Sequence, residues 1–134
     1  MREQPEPTHA PTPPLPWWLA TIVILGALLT AGGGILALVR PETLIGSGQR
    51  MNEAAYVYAG YLVSRNLALA IMLLATLALR AWRMLAGLMV LAALTQLIDA
   101  VVDATTGRST LLPIVLIFAV AFLIGVTQLS RKAS

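Results

Sequence analysis

The stretch AAYVYAGYLVSRNLALAIMLLATLAL, Ala54–Leu79, decides how this chain is read. It is apolar and long enough to cross a bilayer, whose hydrocarbon asks for ~20 such residues. Near its middle stands Arg65. A guanidinium keeps its proton throughout the pH range of proteins, so it cannot shed its charge in lipid. A central arginine costs ~2.5–3.5 kcal/mol on insertion scales. A partner inside the protein is therefore required, and the acidic residues at a comparable depth are Asp99 and Asp103, on the next apolar segment.

Working outward, three more segments share the character of the first: Trp17–Val39, Met84–Val102 and Leu111–Leu129. Together they explain a composition of 58% hydrophobic and 11% charged residues, with a mean hydropathy of +0.82, which is no balance for a water-soluble domain. A backbone in hydrocarbon has to satisfy its own hydrogen bonds, so the spans must be helices. The expected fold is an all-α integral membrane protein, a four-transmembrane-helix up-down bundle over 17–130. It follows a proline-rich tail over 1–16 that is too polar and too rich in proline to fold by itself. The leader is acidic and proline-rich and the first apolar run is long, so that run is expected to stay as a helix and not to be cleaved. Short links, Arg80–Arg83 and Ala104–Thr110, imply antiparallel neighbours. Gly26 and Gly32-Gly33-Gly34 point to close helix packing, and Pro113 falls in a first helical turn, where a missing N–H costs little.

Charge placement orients the bundle. Arg2, Arg80, Arg83, Arg131 and Lys132 fall on one side of four alternating spans, and Arg40, Arg50 and Arg108 on the other. Positive residues collect on the cytoplasmic side, so an inner-membrane location with both termini cytoplasmic is expected. The net charge of +3 forms no basic surface, which leaves nucleic acid without a binding face. Cysteine is absent and the single histidine, His9, lies in the tail, so no ligand set for haem, thiolate metals or a thiol relay is present in the sequence. No cofactor or metal is expected.

Two polar stripes carry the chemistry. Tyr58, Tyr61 and Arg65 recur at spacings of three and four and share one helix face, with Asn66 a position further round. Gln96, Asp99 and Asp103 repeat the pattern on the next segment. Helical Cβ atoms tilt toward their own N-terminus, which brings an Arg65 side chain and Asp99 toward each other across antiparallel helices. The expected site is an Arg65–Asp99 ion pair with Tyr58 or Tyr61 and Gln96 as hydrogen-bond partners. Asp99 would act as base, Asp103 as acid, the tyrosines would steady developing charge, and Asn66 and Gln96 would bind substrate.

The order of features resembles small four-helix bacterial membrane proteins related to the DoxX-like family. The resemblance rests on Arg40-Pro41-Glu42, Tyr56 and Gly60, the run Arg65-Asn66-Leu67-Ala68-Leu69-Ala70, the basic turn ending at Arg83, Asp99 and Gly107. It spans about Val39 to Leu129, and its specific part is Arg65-Asn66-Leu67 with Asp99. Those relatives more often carry Arg-Asp where this chain has Arg65-Asn66. The resemblance implies the four-helix fold and no assigned activity; DoxX itself looks like a redox accessory subunit, whose cofactor site is not repeated here.

Three functions are compatible with these residues. One is a cofactor-independent enzyme, an isomerase, hydrolase or cyclase, acting on a lipophilic small molecule or lipid drawn from the membrane. Epoxide hydrolases of the limonene type use two Asp and an Arg, a set similar to Asp99, Asp103 and Arg65 on an unrelated fold. The second is a non-catalytic accessory or lipid-binding protein in which Arg65–Asp99 is structural. The third, a proton-coupled carrier, asks for more than four short helices unless the chain forms a homo-oligomer.

Overall fold

A computed structural model describes residues 15–44, 52–105 and 112–133. The chain forms α1 (Trp17–Val39), a 3-10 turn (Pro41–Leu44), α2 (Glu53–Ala78), α3 (Trp82–Thr105) and α4 (Leu112–Ala133). All four α-helices are long and apolar enough to cross a membrane. The shortest, at 22 residues, rises about 33 Å at ~1.5 Å per residue, against ~30 Å of hydrocarbon. Large apolar side chains such as Leu28, Ile71, Ile98 and Ile117 stay exposed around the outside, so no helix turns a polar face outward as a water-facing bundle would. The fold is an all-α four-helix bundle with the makeup of an integral membrane protein. The expected tail lies almost wholly outside the described residues, as do Gly46, Ser47, Gly48, Arg50, Gly107 and Arg108.

Local chemistry sets the helix ends. Asn52 precedes α2 in an extended conformation, and its side chain accepts a hydrogen bond from Ala55 N at 2.9 Å. That bond satisfies one of the amides a helix start leaves without partners. Asn52→Ala is expected to destabilise the bundle by about 1 kcal/mol, read from an unfolding titration in mixed micelles. Pro113 is the second residue of α4, in the first turn as the sequence indicates. The 3-10 turn opening at Pro41 was not anticipated; the ring fixes φ near the value such a turn needs.

Between α2 and α3 the chain reverses in three residues. Arg80 takes a left-handed conformation, φ 53°. Its amide donates to Leu77 O at 3.1 Å and the Ala81 amide to Thr76 O at 3.0 Å. This is the paired-bond helix stop that usually employs glycine. Closing the turn so tightly lets α3 begin at Trp82, two residues earlier than the apolar run implies.

The helices pack as two antiparallel pairs, α1 along α2 and α3 along α4, with thinner contacts joining α2 to α3 and α1 to α4. Their core is lopsided. Leu19, Val23, Leu73, Leu85, Met89 and Phe122 are fully buried. The first five lie in the half of the bundle nearer the Arg80 turn, and Phe122 stands at the middle of α4. There Phe122 sits against Gly26, where a Cβ would collide with the ring, and the edge of one of Phe118 and Phe122 meets the face of the other at 6.5 Å between centroids. Toward the other end α1 and α4 separate, and the interior opens.

Candidate functional site

Arg65 is the thirteenth of the 26 residues of α2, and Asp99 lies six residues before the end of α3. Counted from the turn that joins α2 to α3, helical rise alone would leave the two Cα atoms about 6 Å apart along the bundle, at ~1.5 Å per residue. The arginine stem spans that distance. Its Nη2 donates to Asp99 Oδ2 at 2.6 Å, a short charge-assisted bond. The Arg65 Nε donates to Asn66 Oδ1 at 3.4 Å. The two paired side chains are 39% and 38% exposed, so the pair sits at the rim of the α2/α3 seam and not in its centre.

Beside the pair lies a cavity of about 420 Å³, walled by all four helices. Its polar lining is Thr30, Asn66, Thr95, Gln96 and Asp99, and the rest is apolar or glycine. The α2 and α3 contributors, Asn66, Leu69, Ala92, Thr95 and Gln96, are buried or half-buried. Those of α1 and α4 include exposed residues: Leu28, Leu29, Gly32, Gly33, Leu36 and Ile114. The cavity thus has a polar back wall on α2 and α3 and an apolar opening between α1 and α4. Phe118 and Ala92 close it toward the packed half.

The structure brings Arg65, Asn66, Gln96 and Asp99 together, as the two stripes predict. It corrects the partners. The second acceptor of Arg65 is Asn66, not a tyrosine, and Gln96 Oε1 is a buried atom that no donor reaches among the described residues. Tyr58 and Tyr61 are 49% and 73% exposed, and neither lines the cavity. They share the Arg65 face, but that face runs along the edge of the seam, and two tyrosines cannot bend round it as an arginine stem does. Asp103 is half-buried one turn beyond Asp99 and also lies outside the lining.

The glycine run divides in two. At Gly34 a Cβ would stand 3.0 Å from Asn66 Cβ and 3.1 Å from Val63 Cα, so α1 and α2 touch there as expected of packing glycines. At Gly32 and Gly33 a Cβ meets nothing within 4 Å, and both line the cavity. Sequence reasoning missed this, together with the lining roles of Thr30 and Thr95. Each of those hydroxyls donates to its own helix, Thr30 to Gly26 O at 2.8 Å and Thr95 to Ala92 O at 2.9 Å. No family model, curated protein or solved structure matches this chain, so its role has to be argued from this cavity.

Proposed function

We propose that this chain is a small membrane enzyme performing acid–base chemistry on a lipophilic substrate held in the cavity, with Asp99 as the base. The observation that supports it is a carboxylate lining an otherwise mostly apolar cavity, its Oδ2 pinned by Arg65 at 2.6 Å. Intramembrane charges are costly and mark functional sites by default. Arg65 is then a positioning residue: it orients the carboxylate without entering the cavity lining. The reading extends to the DoxX-like group as the setting of the fold. By the positive-inside balance of Arg2, Arg80, Arg83, Arg131 and Lys132 against Arg40, Arg50 and Arg108, it puts the termini in the cytoplasm and the cavity in the outer half of the inner membrane.

Among isomerisation, hydration and epoxide opening with cyclisation, the lining favours isomerisation. Asp103, Tyr58 and Tyr61 lie outside it, so among the described residues one carboxyl has to do both proton transfers. Asp99 would take a proton from one carbon, the electron pair shifting into an adjacent double bond, and return the same proton to a second carbon. Mass and charge are unchanged by that sequence. Among the described residues the lining holds no second acid, which also favours an alternative, a lipid-binding or accessory protein in which the pair fixes helices α2 and α3.

The two readings separate in membranes from cells producing wild type or Asp99→Asn at matched levels of folded protein. The lipid extract with wild type is expected to contain a compound of unchanged mass and altered retention, or one heavier by a water, that the variant lacks. Identical extracts, with the same molecule co-purifying on both proteins, would leave the binding role and remove the catalytic one.

A further inference from the structure

The unpartnered oxygen of Gln96 and the gap beside Gly32 and Gly33 say more about the occupant than the ion pair does. A buried acceptor without a donor is disfavoured by roughly 1–3 kcal/mol and native proteins carry few. Gln96 lines the cavity, and this acceptor lies buried in the wall behind it. No donor among the described residues reaches it. Arg65 spends Nη2 on Asp99 and Nε on Asn66, and the hydroxyl hydrogens of Thr30 and Thr95 go to helix carbonyls. An occupant of the cavity can supply the donor that Gln96 Oε1 lacks.

Charge and size narrow it further. Arg65 and Asp99 cancel, so the wall offers no net charge to hold an ammonium or a phosphate. About 420 Å³ is near the lower end of the ~300–1,000 Å³ typical of small-molecule sites, too little to enclose a two-chain lipid. The way in is lateral: α1 and α4 meet at Gly26 and Phe122 and separate beyond, where Gly32 and Gly33 are exposed and carry no side chain across the gap.

We infer that the cavity takes a neutral, single-chain lipophilic alcohol from the bilayer through the gap beside Gly32 and Gly33, the hydroxyl donating to Gln96 Oε1. This rests on the cavity being the ligand site of the proposed function, and it names the class of that ligand. The hydroxyl bound at Gln96 lies one helical turn from Asp99 on the same face, which sets the carbons next to it against the carboxylate.

The test uses the purified full chain in detergent, with farnesol and farnesyl methyl ether as probes and thermal unfolding followed by tryptophan fluorescence. A ligand that binds only the folded state raises the midpoint. Farnesol is expected to raise it by several degrees, and the ether, which has lost the donor, to bind about tenfold more weakly. Gln96→Leu should abolish the difference between the two probes. Gly33→Leu, whose side chain enters open space, should elute like wild type, unfold no lower than it, and yet lose the farnesol shift. Equal shifts from alcohol and ether on wild type, or an undiminished farnesol preference in Gln96→Leu, would overturn the inference. Asp99→Asn is expected to keep the farnesol shift, so binding that persists without any altered lipid extract sinks the catalytic reading and leaves this one standing.

Discussion

Arg65→Leu is expected to cost the bundle about 2–3 kcal/mol, most of it recovered when Asp99→Leu is added. The single change leaves Asp99 as an unanswered carboxylate among apolar helices, and breaking a buried pair from one side costs ~3–5 kcal/mol. Exposure of 39% and 38% at the two side chains sets the expectation at or below the low end of that range. Removing both charges restores neutrality, and replacing an ion pair by apolar residues is often neutral or better. A double-mutant cycle in mixed micelles isolates the coupling. Interhelical hydrogen bonds in membranes average ~0.6 kcal/mol, so a coupling above about 1 kcal/mol marks an ion pair that matters to the fold. Additive single effects would mean that the 2.6 Å contact contributes nothing and that Arg65 finds its partner elsewhere.

The pair was legible in the sequence because few residues could answer the arginine. One cation at mid-span and two carboxylates on the next helix leave little choice, and helix geometry alone selects Asp99. The four spans were legible for a similar reason: apolar runs of that length have one use. The cavity was not. A leucine or glycine facing another helix and one facing a void look alike in a sequence, since lipid, packed neighbours and empty space all accept apolar groups. The packed half ends at the contact of Phe122 with Gly26, a match of one large and one missing side chain on helices far apart in the chain, and the cavity lies beyond it. Nor did the spacing of Tyr58 and Tyr61 reveal which flank of the seam their stripe would occupy. Spacing says which residues share a face; packing between helix pairs decides where that face looks.

Gly26 and Gly33 turn that difference into a measurement. They stand seven residues apart on α1, two turns along nearly the same stripe. In a helix interior alanine is favoured over glycine by ~0.8–1.0 kcal/mol. At Gly33 a Cβ meets nothing within 4 Å, so Gly33→Ala should gain up to that amount. At Gly26 the same Cβ collides with the Phe122 ring, which is fully buried and braced edge-to-face by Phe118. A rigid ring cannot swing aside as Met89 and Leu19 can at Gly125, where the atoms in the way are the ends of flexible side chains. Overpacking of this kind costs ~1–3 kcal/mol, so Gly26→Ala should be destabilising, by up to about 2 kcal/mol after the helix preference is subtracted. Gly26→Leu should be worse still, separating α1 from α4 and yielding little folded protein. The discriminating result is the sign: one substitution, made twice on one stripe, stabilises at Gly33 and destabilises at Gly26. If both stabilise, Phe122 does not hold α1 against α4, and the border between the packed half and the open half lies somewhere else.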